Sequence, residues 1–367
     1  MAARTEPVLV QALREPAAMA RLDVPGWERL LRQARHADLL ARVDVLARRA
    51  GVQAPPGAAE HLENVRVLAA AQQAEVRREA RFLAEALAPI GVPVTLLKGA
   101  AYLMAGRSAA AGRLFSDVDI LVPKARIGEV EAALMMHGWA TTHHSAYDQR
   151  YYRQWMHELP PMQHLHRHTV VDVHHAILPE TARLHPDSGL LLAEALPLPD
   201  DPMLQVLAPA DMLMHSATHL THNEEMSHGL RDLSDIALLI DEFAADPGFW
   251  PKLTQRSRQL GLQRPLYHAL RHAAGVLGAA VPDAVTRDLA QAAPPPPVAA
   301  LMDALWSRAL RPLHASARDA MTPTALFMLY VRAHWLRMPP LLLARHLAIK
   351  AFKLHEDRPS RREGANA

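Results

Sequence analysis

Apolar residues recur every three or four positions along most of the chain, which is the spacing of helices with one buried face. The pattern covers about residues 6 to 90 and resumes in PADMLMHSATHLTHN and LRDLSDIALLIDEFA. It continues to about residue 355 with one interruption, the four prolines Pro294 to Pro297, which predict a rigid linker between helices. We therefore expect an N-terminal helical region over 1–90, a C-terminal helical domain over 200–356 and a polar tail over 357–367.

A different period, typical of strands, is confined to the segment between these regions. PVTLLKG (93–99) is a short apolar run that ends in glycine, and FSDVDILVP (115–123) alternates carboxylates with Val and Ile. Helical spacing follows each run, so the predicted order is βαβα. Further strands are expected in TTHHSAYDQRYY and in QHLHRHTVVDVHHAI, which is typical of a hairpin with TVVDVHH as its second arm. The predicted fold class is α+β: a small mixed β-sheet in a core over 91–180, flanked by N-terminal and C-terminal all-α regions.

The composition excludes several classes of protein. Half of the 367 residues are hydrophobic, and charges nearly balance at a formal +2, so no strong field indicates nucleic acid or an anionic membrane. The absence of cysteine excludes disulfides and cysteine-ligated zinc.

The sequence contains no clear signal for export or membrane insertion. The N-terminus lacks the apolar stretch of a secretory signal, and charges and Pro339-Pro340 interrupt the apolar segment 324–352. We expect a cytoplasmic protein with no membrane span, in which 324–352 forms two amphipathic core helices; a position at a membrane interface is the alternative.

The most informative residues are three aspartates on two predicted strands. Asp117 and Asp119 are two apart and point to the same face of a strand, while Val118 and Ile120 point to the other. Asp172 can join them if its strand is a neighbour. Carboxylates this close raise each other's pKa unless a cation neutralises them, and Mg²⁺ or Mn²⁺ suits carboxylate oxygens. The alternatives are a solvated Asp-x-Asp at a strand end and, for Asp172, an aspartate that only bonds the backbone.

Several nearby positions are suited to binding phosphate or nucleotide. Lys98, Gly99 and Ala100 end the first strand and open a helix, where free N–H groups and the helix dipole attract anions. Gly99 allows close approach, while Lys98 either contacts phosphate or caps the sheet edge. Arg113 either neutralises a triphosphate or pairs with an acidic neighbour. His174 shares a strand face with the third aspartate and is a candidate contact of the nucleotide or of a metal-bound water.

The run LLKGAAYLMAGRSAAAGRLFSDVDILV, followed by VEAALMMHGW and VVDVHHAIL, resembles the DNA polymerase β-type nucleotidyltransferase superfamily. It is most similar to the bacterial uncharacterised nucleotidyltransferase family, which pairs an LKG turn and an R…DxDLLV strand with a later DxH strand. The similarity covers about residues 90 to 180, and LRDLSDIALLI is similar to that family's C-terminal part. It implies a nucleotidyltransferase core, a divalent metal, and transfer of a nucleoside monophosphate from a nucleoside triphosphate such as ATP to a hydroxyl.

The resemblance assigns roles to individual residues. It makes Gly99 the turn glycine, Asp117 and Asp119 the metal-binding pair, and Asp172 the third carboxylate. Ala100 departs from it, because the wider superfamily has Gly or Ser there, and the stretch from Gly99 to Asp117 is longer than in compact members. Two hypotheses follow: an active nucleotidyltransferase acting on a small molecule, a protein or an RNA, or a catalytically inactive nucleotide-binding or regulatory protein of the same fold.

Two further groups have competing interpretations. His215 and His219, among 22 histidines, are four apart on a predicted helix and could share a zinc ion, although the glutamate of an HExxH pattern is lacking. The alternative is a set of histidines that hydrogen-bond in a helix interface bordering the cleft. Arg231, Asp232 and Asp235 are expected to hold the helical domain to the sheet through ion pairs, with acceptor binding as the alternative.

Overall fold

Helices make up the first part of the chain in the computed structural model, which describes residues 6–141 and 156–339. They are α1 (Val8–Arg14), α2 (Val24–His36), α3 (Leu40–Arg49) and α4 (Pro56–Leu87). α2 begins where the Asp23 side chain accepts a hydrogen bond from the N–H of Gly26. α2 and α4 carry proline in their first turn, where its missing N–H is not needed. The helical pattern predicted up to residue 90 is confirmed.

Short strands of the described residues form one mixed sheet in the order β3-β4-β5-β2-β1-β7-β6. They are β1 (Val94–Leu96), β2 (Val118–Leu121), β3 (Trp139–Thr141), β4 (Met162–His164), β5 (Val170–His174), β6 (Leu196–Leu198) and β7 (Asp201–Val206). β2 is parallel to β5 and β1 is parallel to β7, while the other neighbours are antiparallel. Helices α5 (Lys98–Met104) and α6 (Ile127–Met136) follow β1 and β2. The predicted βαβα order and the α+β fold class are confirmed.

β4 and β5 form the predicted hairpin, with Met162 opposite Val171. β6 and β7 were not predicted, and β7 lies inside the region assigned to the C-terminal helical domain (200–356), ahead of the helical pattern that resumes in PADMLMHSATHLTHN. Pro197 and Pro202 hide any strand-like alternation there, and proline is tolerated only at strand edges or ends. Of the strand expected in TTHHSAYDQRYY, only Thr141 belongs to the described residues; His143 and His144 lie outside them.

The chain after the hairpin is mainly helical. Its helices are α7 (Ser188–Ala193), α8 (Pro209–His222), α9 (Gly229–Phe243), α10 (Phe249–Gln259), α11 (Gln263–Leu277), α12 (Asp283–Leu289), α13 (Pro296–Ala309) and α14 (Thr322–Arg337). The four-proline run is not wholly a linker, because Pro296 and Pro297 form the first turn of α13, where proline is tolerated. α14 is the first helix expected in 324–352, and the second lies outside the described residues. No helix within the described ranges is long and apolar enough to cross a membrane.

Two clusters of buried apolar side chains hold these elements together. The larger extends from Val76 in α4 to Leu329 in α14 and contains the central strands of the sheet. The smaller joins α1, α2, α3 and the first half of α4, and it includes Leu230 of α9. The sheet therefore shares one core with the helices that follow it, and α4 contributes to both clusters. The domain limits at residues 90, 180 and 200 stay predictions.

Candidate functional site

The three aspartates singled out in the sequence meet on two adjacent parallel strands. β2 and β5 pair so that Asp119 lies directly opposite Asp172, which puts both side chains on one face of the sheet. Asp117 lies two residues before Asp119, just ahead of β2, and its charge acts on Asp172 as well. The requirement that the two strands be neighbours is therefore met.

Asp119 is buried and paired with the ammonium of Lys98 and the imidazole of His174. Its Oδ1 lies 2.7 Å from Nζ of Lys98 and 2.9 Å from Nε2 of His174. Burial alone would raise the pKa of Asp119, but Lys98 and His174 hold it well below its ordinary value. Burial likewise opposes the charge of Lys98, yet attraction to Asp119 raises the pKa of that ammonium. Asp119 is therefore an ionised carboxylate whose charge Lys98 neutralises.

Asp172 and Asp117 show the opposite shift. Burial raises the pKa of Asp172 to about 7, and the charge of Asp119 adds to the effect. Its Oδ1 is buried and has no hydrogen-bond partner in the described part of the chain. Partial loss of solvent around its carboxylate and then the charge of Asp119 also raise the pKa of Asp117, although the Ser116 hydroxyl donates to it at 3.1 Å. Asp172 is half-buried and Asp117 is exposed, and within the described residues neither forms the ion pairs that neutralise Asp119.

The turn after β1 directs Lys98 toward the aspartates. Lys98 has a left-handed φ of 47° and is the first residue of α5. A Cβ at Gly99 would lie 2.7 Å from Nε of Arg113 and 3.1 Å from the ring of Phe115, so glycine is the residue that fits. Ala100 is buried in the core. The sequence prediction placed Lys98 either on phosphate or at the sheet edge; in the structure its ammonium contacts Asp119, and its role toward phosphate stays a prediction.

Arg113 lies beside the site, and its charge is already paired. Its guanidinium contacts Asp235 of α9, and Asp235 also accepts a hydrogen bond of 2.8 Å from Arg42 of α3. Burial would lower the pKa of Arg113, but the attraction of Asp235 raises it. In the same helix Arg231 pairs with Asp38 at 2.8 Å. The ion pairs predicted for this helix are therefore present, and they reach the N-terminal helices as well.

Two cavities meet at Lys98. The larger, of about 270 Å³, lies between the β1–α5 turn, the residues before β2, and helices α8 and α9; Asp117 and Asp119 line it. The smaller, of about 170 Å³, is lined by Glu158, His174 and an apolar wall at 177–179. Both cavities share three lining residues, which are Lys98, His219 and Asn223. The site thus has two compartments that meet at Lys98, and Asp119 lines the larger one.

His174 lies between two carboxylates, one of which the sequence did not reveal. Its Nε2 faces Asp119, and its Nδ1 lies 3.1 Å from Oε2 of Glu158. Glu158 forms an isolated antiparallel bridge with His174, ahead of the prolines Pro160 and Pro161 that interrupt the ladder before β4. The prolines conceal this pairing in the sequence. Extending the hairpin register backward would put Leu159 opposite His174, so a one-residue shift at the prolines brings Glu158 there instead.

His215 and His219 gather no third ligand for zinc within the described ranges, where the group with metal-ligand spacing is His157, Glu158 and His174. Burial lowers the pKa of His215 well below its ordinary value. His219 borders both cavities, and its Nδ1 lies 3.4 Å from Asp232. The two histidines of α8 fit the alternative interpretation, a helix interface beside the cleft.

Comparison with known proteins finds a match to one protein family. A family model described as uncharacterised nucleotidyltransferase matches residues 23–278. The sequence matches no curated protein. The solution structure of the antibiotic-resistance factor ANT(2'')-Ia is similar over 55% of this chain and 97% of that chain, at 14% sequence identity and a TM-score of 0.34. A TM-score this low bears on neither substrate nor mechanism. The family match, in contrast, spans the three aspartates, the β1–α5 turn and helices α8 and α9.

Proposed function

We propose, given that this chain belongs to the uncharacterised nucleotidyltransferase family, that it transfers a nucleoside monophosphate from a nucleoside triphosphate to a hydroxyl group. The observation that carries the proposal is the register of β2 and β5, which sets Asp119 opposite Asp172 with Asp117 two residues away. Three carboxylates on one sheet face, two of which (Asp117 and Asp119) line a cavity of about 270 Å³, suit the handling of a polyphosphate through metal ions.

The carboxylates fit a divalent ion such as Mg²⁺ or Mn²⁺. The buried Oδ1 of Asp172 has no hydrogen-bond partner within the described ranges, so a cation there would relieve an otherwise unfavourable burial. Asp117, Asp119 and Asp172 would hold the ion through oxygen atoms, which are the ligands that Mg²⁺ prefers. When bound, the ion lowers the pKa of the attacking hydroxyl and neutralises charge on the leaving pyrophosphate.

The remaining residues bind and orient the nucleotide. We assign the triphosphate to the larger cavity, where Gly99 leaves room at the turn and Lys98 supplies an ammonium that can turn from Asp119 to a phosphate. Arg113 stays bound to Asp235 and stiffens the cavity wall. The acceptor oxygen bonds to the α-phosphorus, its proton passes to Asp172, and the bond to the bridging oxygen breaks to release pyrophosphate. His174 orients Asp119 through the 2.9 Å contact.

The first prediction tests this activity. The purified protein is incubated with each nucleoside triphosphate, labelled at the α-phosphate, in Mg²⁺ or Mn²⁺, and both pyrophosphate release and transfer of label are measured. Label is sought on the protein itself, on small hydroxyl compounds and on RNA. Asp119→Asn and Asp172→Asn should each lower the rate by roughly 10²- to 10⁴-fold. Asp241→Asn, an exposed position on α9, is the control and should keep the wild-type rate. Full activity in Asp172→Asn would contradict the proposal.

A catalytically inactive nucleotide-binding or regulatory protein is the second candidate. The observation that favours it is the ion pair of Lys98 with Asp119, at 2.7 Å, because it already neutralises one of the three carboxylates. Ala100 also brings no hydroxyl to the turn, unlike the serine of many related proteins. Calorimetric binding of a non-hydrolysable nucleoside triphosphate, without pyrophosphate release from any of the natural nucleotides, would identify this second candidate.

A further inference from the structure

A group of nitrogen and oxygen ligands lies on the far side of His174 from the aspartates. One ligand atom each from His157, Glu158 and His174 lie within 4.8 Å of one another. Two imidazoles and one carboxylate are a donor set typical of zinc, which leaves its fourth position open. Mg²⁺ prefers oxygen ligands alone. The group therefore differs in chemistry from the three aspartates.

The backbone fixes the positions of these ligands. The N–H of Leu159 donates to the carbonyl of Val173 at 2.9 Å, and the N–H of His175 donates to the carbonyl of His157 at 2.8 Å. Glu158 is thereby held opposite His174 as a bridge partner. Ligands carried on paired strands keep their spacing better than ligands on a loop.

The contacts of the two ring nitrogens limit how His174 can be protonated. Nε2 lies 2.9 Å from Asp119, and Nδ1 lies 3.1 Å from Glu158. A neutral imidazole has a single N–H, so if Nε2 donates to Asp119, the lone pair of Nδ1 faces a carboxylate oxygen. That contact is repulsive unless a second proton or a metal ion stands between the two atoms. A carboxylate that accepts the outer N–H of a metal-bound histidine is a common arrangement.

The residues around this group provide one more ring nitrogen, which has no hydrogen-bond partner among the described residues, and the cations nearby are already paired with carboxylates. Nδ1 of His157 is buried and has no hydrogen-bond partner in the described ranges, and its ring lies 5.2 Å from that of His174. The cations that line this cavity have partners of their own, since Lys98 pairs with Asp119 and Arg337 pairs with Glu224 at 3.2 Å.

We propose that His157, Glu158 and His174 form a separate site for a zinc-class ion. The ion binds Nδ1 of His174, so that Nε2–H donates to Asp119 and fixes that carboxylate for the neighbouring site. His174 acts in this scheme as a positioning residue that joins the two sites. The proposal goes beyond nucleotidyl transfer and does not depend on it, because metal binding is measured without nucleotide.

The experiment uses full-length protein without an affinity tag, stripped with a chelator and titrated with Zn²⁺ or Co²⁺ in excess Mg²⁺. Metal content by mass spectrometry should reach one tightly bound ion per chain, and bound Co²⁺ should give the strong visible absorption of a tetrahedral site. His157→Ala and the conservative Glu158→Gln should each weaken binding by more than about 100-fold, since losing outer-shell partners alone costs about 10- to 100-fold.

Matched variants make the outcome decisive. His222→Gln changes a histidine of the same cavity outside the group and should leave the affinity unchanged, and melting curves of the stripped variants check folding. The proposal is overturned if the wild-type protein binds no zinc-class ion tightly. It is also overturned if Asp172→Asn loses the ion while Glu158→Gln keeps it, which places the ion among the aspartates.

Discussion

Asp119 and Asp172 face each other across two strands and yet have opposite pKa shifts. Asp119 has Lys98 and His174 on its Oδ1 and stays ionised, while Asp172 has a pKa of about 7 because it is half-buried beside that negative charge. One carboxylate of the pair therefore binds cations at any physiological pH. The other gains or loses a proton close to neutrality, which suits a group proposed to accept one.

The second prediction follows from the raised pKa of Asp172. The folded protein holds this proton more tightly than the unfolded chain, so the stabilisation is complete below about pH 4 and is lost as the pH rises through 7. An asparagine has no proton to lose in this pH range, so Asp172→Asn does not undergo this loss of stability. Without divalent ions, the free energy of unfolding of the variant relative to wild type should rise by about 2 kcal/mol between pH 5 and pH 8. Urea denaturation at both pH values measures this, and a difference that does not change with pH would contradict it.

Among the elements, α4 contacts the β4–β5 hairpin through an ion pair in which Glu79 is buried and Arg167 is partly exposed. Both carboxylate oxygens of Glu79 accept hydrogen bonds from Arg167, at 2.8 and 3.0 Å. The Arg167 guanidinium also lies 4.3 Å from the ring centre of Phe82 and 4.9 Å from that of Trp139. This contact holds the turn between the two strands, and β5 carries Asp172.

The third prediction concerns this attachment. Glu79→Gln should lower the free energy of unfolding by about 2–3 kcal/mol, because it leaves the Arg167 charge half-paired at a site where Glu79 is 1% exposed. Glu63→Gln is the matched control on the same helix: its partner Arg66 is exposed, and the change should cost less than about 0.5 kcal/mol. If the two substitutions change the free energy of unfolding equally in chemical denaturation, the Glu79–Arg167 pair does not stabilise the attachment of α4 to the hairpin.

The elements that the sequence could predict are those with an unbroken local period. Alternation identified β2 and β5 and put Asp117 and Asp119 on one face, and neighbouring strands then brought Asp172 to them. Prolines concealed the rest: they obscured β6 and β7, and they separated Glu158 from the hairpin to which it belongs. Contacts such as Lys98 with Asp119 depend on how a turn is packed against a strand, and no spacing along the chain records that.

At the scale of the whole molecule, Asp235 joins three distant parts of the chain. It lies on α9, its Oδ1 accepts from Arg42 of α3 at 2.8 Å, and its other oxygen contacts Arg113 in the segment that leads into β2. All three side chains are buried. One carboxylate thus neutralises two guanidinium groups from different regions, at a point where the two hydrophobic clusters approach each other.

The fourth prediction tests the importance of this junction. Asp235→Asn should lower the free energy of unfolding by about 3–5 kcal/mol, since it leaves two buried guanidinium groups without their counter-charge. Hydrogen exchange should accelerate both in α3 and in residues 108–113. Asp241→Asn, an exposed change on the same helix, should stay within about 0.5 kcal/mol of wild type. Unchanged exchange in α3 would mean that the N-terminal helices are held by their apolar contacts alone.

Gly112 shows how closely the N-terminal helices approach the strand that carries the aspartates. A Cβ on this glycine would lie 2.5 Å from Cα of Arg42 and 2.6 Å from the carbonyl oxygen of Ala41, so the two backbones touch. A fragment cut at residue 91 would keep all three aspartates but lose the surface that shapes the loop before them. The smallest working unit of this protein is consequently larger than its sheet, because the N-terminal helices help to shape the loop before the aspartates.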